Sequence, residues 1–318
     1  MAETLSAQEL RQAYDACREI ARREAKNFYY SFIALPHHKS DAMCAVYAFM
    51  RRADDISDDE SHTIDERRAQ MTDWTEEWRR VRAGGTSVDP VFIALRDTQQ
   101  RFSIPLELLE QLVQGVAMDL EASALPVRTL SLGGSVEQSF QVYESFDDLY
   151  RYCYLVASVV GLVCIRIFGY DDPRAEELAE RTGIAFQLTN ILRDVREDAE
   201  RGRIYLPQGD FEKFSVDAGE LVRLKNGQHM TLNQRELMEY EAQRAREYYQ
   251  AAKELLPLIH ADSRPALWVL VSIYRTLLDR IEARGFDVFS KRVSVGTMTK
   301  LRILLRGMVQ ALLNRVMA

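Results

Sequence analysis

The sequence lacks the residue patterns that build the common metal and nucleotide sites. Its five histidines form no HxxxH or HExxH pattern and its four cysteines form no CxxC pair, so a zinc site is not expected. It contains no GxGxxG and no GxxxxGKT motif, and so offers no sequence case for a dinucleotide or P-loop site. The cysteines lie in apolar helical segments, where we expect buried free thiols.

Long apolar runs are also missing. No run of about 18 apolar residues occurs, and residues 155–167, which are apolar apart from Ser158 and Arg166, are too short to span a bilayer. Residues 1–26 are charged and contain no apolar core, so no signal peptide is expected. The net charge of −7 gives no general case for nucleic acid as a partner. We therefore expect a cytoplasmic protein.

The patterns that are present belong to a helical protein. Hydrophobic residues make up 47% of the 318 residues, enough for a sizeable core, and they recur with helical spacing. Strand-like alternation is almost missing, which predicts an all-α fold, and no linker divides residues 1–318 into two cores. The predicted helices cover residues 7–26, 37–58, 63–82, 90–102, 105–121, 146–168, 173–199, 208–212, 216–226, 232–257, 265–284 and 297–316.

Residues 122–139 differ from the rest of the chain. They contain Pro126, Gly133 and Gly134 together with several serines and threonines, and they have no helical period. We expect a surface loop here, inserted into the single domain.

One polar stripe is the centre of the sequence. Gln187, Asn190, Asp194 and Asp198 are spaced 3, 4 and 4 residues apart, which places them on one face of a helix. Two carboxylates one turn apart repel each other, which costs a helix a few tenths of a kcal/mol, roughly. The stripe therefore favours a cation at this face.

A second stripe has the same character. Asp54 and Asp58 are again separated by four residues, and Tyr47 and Arg51 continue the same face toward the N-terminus. A solvated helix end is the competing interpretation for either stripe alone. Because each stripe follows an apolar helical run, the pair favours a site inside the bundle.

Two such stripes predict a magnesium-diphosphate site. Mg²⁺ takes oxygen ligands and is held by one or two carboxylates together with substrate phosphates. Arg51 and Arg193 lie beside the aspartates and could bind the remaining diphosphate oxygens. An allylic diphosphate held there would ionise to a carbocation, which aromatic faces stabilise. The candidate rings, for which plain core packing is the competing interpretation, are Phe28, Phe32, Tyr47, Tyr152 and Tyr274.

At this point the sequence resembles a known family, the squalene/phytoene synthases, which are trans-isoprenyl diphosphate synthases. The resemblance extends over residues 27–289, and its most specific part is residues 187–207, QLTNILRDVREDAERGRIYLP. Residues 47–58, YAFMRRADDISD, and residues 152–161, YCYLVASVVG, support it. It implies one helical domain with a central cavity and a head-to-head condensation of two identical prenyl diphosphates through a cyclopropylcarbinyl diphosphate.

The resemblance also implies roles for individual residues. The implied Mg²⁺ ligands are Asp54, Asp58, Asp194, Asp198 and Asn190. The implied catalytic residues are Tyr47, Arg51, Asp54, Asp58, Arg193, Asp194, Asp198 and Tyr274. The implied substrate-binding residues are Phe28, Phe32, Tyr152, Val156, Gly161, Gln187, Asn190 and Tyr205, with Tyr205 in a closing flap. Flap closure would keep water from the cation.

The substrate is expected to be farnesyl diphosphate, with presqualene diphosphate or a C30 hydrocarbon as product. Phe32 lies one helical turn from Phe28 and would block a longer chain, and residues 27–36 also resemble bacterial presqualene diphosphate synthases. The alternative is 15-cis-phytoene synthesis from two geranylgeranyl diphosphates. NADPH is not expected as a cofactor. A terpene cyclase and a chain-elongating synthase are other interpretations, and residues 187–207 argue against both. A helical scaffold or lipid-binding protein is a further one, and the presence of all four stripe aspartates argues against it.

The last predicted helix has a distinct charge. Lys300, Arg302, Arg306 and Arg315 follow Asp287 with no further acid, and apolar residues lie between them, Leu301, Leu304, Leu305, Met308 and Leu312. A core helix with a basic outer face is one interpretation. Peripheral contact with anionic lipid at the inner face of a membrane is the other. The sequence leaves the oligomeric state open.

Overall fold

The computed structural model describes residues 6–25, 28–118, 120, 126–131, 137–224 and 229–316, with side chains up to residue 309. The helices are α1 Ala7–Glu24, α2 Phe28–Ile33, α3 His37–Ser57, α4 Ile64–Arg82, α5 Pro90–Arg101, α6 Leu106–Ala117, α7 Phe146–Cys153, α8 Val159–Phe168, α9 Arg174–Glu200, α10 Gln208–Lys213, α11 Ala218–Val222, α12 Leu232–Leu258, α13 Arg264–Ala283 and α14 Thr297–Val316. Three short strands accompany them, β1 Val127–Ser131, β2 Glu137–Val142 and β3 Arg203–Ile204. The all-α prediction is confirmed.

Local sequence sets several helix starts. Ser6, Thr63, Ser145 and Thr231 each accept a hydrogen bond from a backbone N–H one turn ahead, and the side chain at that position bonds back to the cap. These capping boxes pair donors that a helix N-terminus otherwise leaves open. The helix start predicted at Ser6 is therefore confirmed, and the capping box between Ser6 and Glu9 explains it.

The helices pack into two apolar clusters with a shared boundary. One cluster is built mainly from α1, α3, α5, α6 and α8, and the other mainly from α7, α9, α12 and α13. The long helices α9 and α12 run against each other, and Phe28 of α2 packs against both clusters. The boundary between the clusters is where a cavity can form without opening either core.

The predicted helix over residues 146–168 is interrupted by one π-helical turn, Tyr154–Ser158. Two glycines let neighbouring helices approach it: a Cβ on Gly115 would lie 2.7 Å from the Leu155 carbonyl oxygen, and a Cβ on Gly183 would lie 2.7 Å from Ser158 Cα. The Ser158 hydroxyl donates to the Glu180 carbonyl at 2.7 Å. The turn is thus fixed between α6 and α9.

The stretch Phe146–Phe168 is the one span of the described residues long and apolar enough by composition to cross a membrane. Half of its most apolar window is buried inside the bundle. Its contacts with α6 and α9 are those of a core helix.

The loop predicted over residues 122–139 is partly wrong. β1 and β2 pair antiparallel from Val127 with Gln141 to Ser131 with Glu137, and β2 continues in parallel pairing with Arg203 and Ile204 of β3. Residues 122–125 and 132–136 lie outside the described residues. The strands escaped prediction because they are short, and because β3 is distant in sequence from its partner β2. Burial of Phe140 and Val142 anchors them.

The close approach at Gly115 gives a stability prediction. Alanine is favoured over glycine in a helix by about 1 kcal/mol, but a methyl group pressed against a fixed carbonyl costs about 1–3 kcal/mol. We expect Gly115→Ala to lower the free energy of unfolding in urea. Gly296→Ala is the matched control, because a Cβ there meets nothing within 4 Å. Equal stability of Gly115→Ala and the parent chain would contradict the packing of the π-helical turn.

Candidate active site

The C-terminal half of α3 carries the first polar stripe into a cavity. Tyr47, Arg51 and Asp54 line that cavity, as their spacing predicts. Asp55, next to Asp54, pairs with Arg51 at 2.6 Å, and the Arg51 Nε is buried without a hydrogen-bond partner in the described structure. Asp58 ends the helix, is exposed and lies outside the cavity lining.

The second stripe reaches the same cavity from α9. Gln187, Asn190 and Arg193 line it. The Asn190 amide nitrogen donates to the Gln187 side chain at 3.3 Å, whereas Asn190 Oδ1 is buried with no hydrogen-bond partner in the described part of the chain. An unpaired buried carbonyl oxygen is costly, so its orientation favours an external ligand such as a cation.

Asp194 and Asp198 follow Arg193 and lie beside the cavity rather than in its lining. Arg193 and Arg292 both bond to the Asp194 carboxylate, Arg193 as a two-pronged fork and Arg292 at 3.0 Å. Burial, followed by the negative charge of Asp194, raises the pKa of Asp198 to about 7. Two acids held this close together favour a bound cation.

The cavity has a volume of about 530 Å³ and one polar end. Along both α3 and α9 its lining changes from apolar to charged toward the C-terminus, from Met43 to Asp54 and from Ala179 to Arg193. Further charged residues line the cavity, namely Glu24, Arg292 and Lys300. Most of the remaining wall is apolar and includes Val156, Val160, Gly161, Cys164, Ile165, Phe168, Leu255, Leu267, Leu270 and Leu277.

Aromatic rings lie between the polar end and the apolar wall. Phe28 and Tyr274 have ring centroids 6.1 Å apart, and Phe32 meets Tyr47 edge-on at 6.4 Å. Phe186 stacks on Tyr274 at 4.4 Å. Burial raises the pKa of Tyr274, so its phenol stays neutral. These rings present π faces and edges to a cavity that could hold a carbocation.

Tyr152, which we expected in the cavity wall, does not line the cavity, and neither does Tyr205, which we expected in a closing flap. They stack with each other at 5.0 Å, join Tyr143, and are bonded through their hydroxyls at 3.2 Å. The π-helical segment Tyr154–Ser158 begins between Tyr152 and Val156, and it has more residues in each turn than an α-helix. In a regular helix these two would share a face, but here only Val156 lines the cavity.

The cavity residues that were not predicted as site residues include Glu24, Phe186, Arg292 and Lys300. Phe186 directly precedes the polar stripe, so its position was a usable signal. Glu24 lies on α1, Arg292 between α13 and α14, and Lys300 on α14. All three are distant in sequence from the two stripes, so helical spacing could not link them to the site.

The donor set fits Mg²⁺ only together with a diphosphate. No group of three His, Cys, Asp or Glu side chains in the described residues could hold a metal alone. One or two carboxylates plus an amide oxygen are present, which is what Mg²⁺ takes from a protein when substrate phosphates supply the rest. The residues that would hold it are Asp54, Asn190, Asp194 and Asp198, with Asp58 at the outer edge.

An all-α bundle with two acidic stripes at one end of an apolar cavity defines an isoprenoid synthase. The sequence model of the squalene/phytoene synthase family matches residues 21–299, and the chain belongs to that family. Members are prenyltransferases and depend on divalent metal in general.

Two of the similar proteins are named as phytoene synthases. The phytoene synthase of Arthrospira platensis is 34% identical over 92% of this chain and 91% of its own length. The 15-cis-phytoene synthase of Synechococcus elongatus is 34% identical over 95% of this chain and 94% of its own length.

Solved structures agree on the fold. A dehydrosqualene synthase in complex with a ligand is 30% identical, with a TM-score of 0.80, and the match covers 95% of this chain and 98% of that one. A squalene synthase from Alicyclobacillus acidocaldarius is 26% identical, with a TM-score of 0.74, over 88% and 97% of the two chains.

The acidic stripes give a prediction about turnover. Asp54→Asn and Asp194→Asn keep the side-chain size and remove the charge that a cation needs. We expect each to abolish nearly all magnesium-dependent turnover of a radiolabelled prenyl diphosphate while the helical circular dichroism is unchanged. Asp73→Asn, at an exposed position on α4, is the control. Substantial activity in either stripe variant would argue against these ligands.

Proposed function

We propose that the protein condenses two geranylgeranyl diphosphates head to head to give 15-cis-phytoene. The observation that carries the reaction class is a cavity with arginines, an aspartate and an unpaired amide oxygen at one end and apolar wall elsewhere. The names of the 34% identical relatives support the C20 substrate over the C15 substrate that we expected from the sequence.

In this proposal the charged residues bind the diphosphate, and the aromatic and apolar residues surround the carbocation. Arg51 and Arg193, which line the cavity, would bind diphosphate oxygens, and Mg²⁺, when bound, would neutralise the leaving diphosphate. Departure of that group breaks an allylic C–O bond and leaves a carbocation. The rings of Phe28, Tyr47 and Tyr274 would stabilise it, and the apolar wall would keep water away.

A second candidate substrate is farnesyl diphosphate, favoured by Phe32. This ring lines the cavity, is 2% exposed and is held edge-on against Tyr47. It occupies space that a longer chain would need. The names of the structural neighbours, a dehydrosqualene and a squalene synthase, are consistent with this candidate.

Chain length and reductant can be tested together. We expect the purified protein to convert geranylgeranyl diphosphate into a C40 polyene by mass spectrometry, with NADPH changing neither rate nor product. On the second candidate, farnesyl diphosphate is preferred, and Phe32→Ala raises the relative kcat/KM for the longer substrate, since each excluded methylene is worth about 1–3 kcal/mol. Phe102→Ala, a partly buried ring outside the cavity lining, is the control. NADPH-dependent squalene formation would contradict the C40 product and the expectation about NADPH, and would support farnesyl diphosphate as the substrate.

We also propose peripheral contact with a membrane through α14. Leu304 faces the core at 6% exposure, and Gly307 packs against Trp268 and Val269. The opposite face is apolar and open to solvent, with Met298 65% and Leu305 61% exposed. Leu301, Met308 and Val309 extend it. The side chains of Leu312 and Arg315 lie outside the described residues.

Charge supports a lipid surface as the partner of this face. The protein carries a net charge of −7, yet α14 carries Lys300, Arg302 and Arg306 and no acid. The ammonium group of Lys300 lies 5.6 Å from the Tyr30 ring centre, and Lys300 also lines the cavity. An apolar face flanked by cations binds anionic headgroups and the acyl region beneath them. Contact through α14 would then bring the cavity close to the membrane interior, in which the hydrocarbon product is soluble.

Liposome flotation tests this contact. At low salt we expect the protein to float with vesicles rich in anionic lipid, and Leu305→Asp to reduce the bound fraction severalfold by placing a charge in the apolar face. Val88→Asp is the control, because Val88 is 98% exposed and lies far from α14 in sequence. Failure of the parent protein to bind such vesicles would reject the proposal.

A further inference from the structure

Asp194 is shared by two guanidinium groups. Arg193 Nε lies 2.7 Å from Asp194 Oδ1, and another Arg193 nitrogen bonds to Oδ2. Arg292 approaches the same Oδ1 with two nitrogens, at 3.1 and 3.0 Å, and also lies 3.4 Å from a Glu197 oxygen. A carboxylate already bonded in this way has little capacity left for a metal ion, so one arginine must withdraw before Asp194 can act as a ligand.

Arg292 is the arginine that can withdraw. Its side chain is 50% exposed, whereas the Arg193 side chain is 15% exposed and lies on the same helix as Asp194. Arg292 belongs to the connection between α13 and α14. The backbone there is held by burial of Val293 and Val295 and by a 2.7 Å bond from Arg280 to the Ser294 carbonyl. The Arg292 side chain can therefore move while its backbone stays in place.

Resting on the function proposed above, we propose that Arg292 is a positioning residue that holds Asp194 in the metal-free protein and gives it up when a metal-diphosphate complex enters. The two events are coupled by charge. A divalent cation at Asp194 repels the guanidinium, and a diphosphate at the cavity lined by Arg292 attracts it. A metal ion that binds alone breaks the Arg292–Asp194 ion pair and leaves Arg292 without an anionic partner. When diphosphate binds as well, Arg292 can pair with the diphosphate instead. Each ligand therefore strengthens the binding of the other.

Metal binding to purified protein without substrate tests this role. Mn²⁺ is the probe, followed by the electron paramagnetic resonance signal of the free ion. Removing the competing guanidinium with Arg292→Gln is expected to tighten Mn²⁺ binding about fivefold, the factor expected for a partly exposed ion pair. Arg292→Lys retains the charge and should stay near the parent affinity. Arg79→Gln, at an exposed arginine on α4, is the control.

Two further measurements separate this role from a merely structural one. Adding Asp194→Asn to Arg292→Gln should remove the gain in Mn²⁺ affinity. Inorganic diphosphate should tighten Mn²⁺ binding in the parent protein by a larger factor than in Arg292→Gln. Unchanged or weaker Mn²⁺ binding by Arg292→Gln would overturn the proposal. If the expected Mn²⁺ behaviour is found but neither prenyl diphosphate is turned over, the proposed function fails and the role of Arg292 stands.

Discussion

Charge held at one end of an apolar cavity is the constraint on which the rest of the structure depends. Ions leave water at a cost of several kcal/mol each, roughly, unless partners are placed with good geometry. Here the buried partners are Arg193 and Asp194, adjacent residues of α9 whose side chains are each 15% exposed. The bundle has to bring the C-terminal halves of α3 and α9 to the same place. The buried residues of α3 belong to one apolar cluster, and those in the C-terminal half of α9 belong to the other. The boundary between the clusters therefore brings the two helices together.

Local periodicity explains what the sequence could predict. The stripes of α3 and α9 needed only the helical repeat, and Tyr47, Asp54, Gln187 and Asn190 lie at the cavity for that reason. The same rule failed at Tyr152, because one π-helical turn changes the phase of every residue before it relative to those after it. No composition signal marks such a turn; it is stabilised by two glycines on other helices.

The remaining site residues required knowledge of distant contacts. Arg292 and Lys300 reach the cavity from the end of the chain, and nothing in their local sequence separates them from other surface cations. The apolar wall is assembled from several helices, so cavity depth is a property of packing and not of any motif. Reaction class could therefore be predicted from the polar stripes, whereas substrate length depends on the packed shape of the whole cavity.

The pairing of β2 with β3 has a consequence for the order of folding. Gln141 donates its N–H to the Gly202 carbonyl at 2.8 Å, joining positions that are roughly sixty residues apart in sequence. Such a contact closes a long loop and gains little until α7, α8 and α9 have packed. We infer that the segment after the second acidic stripe is fixed late and released early, which amide exchange at Gln141 would report. The helices that line the cavity would then form a stable unit before the pairing of β2 with β3 is in place.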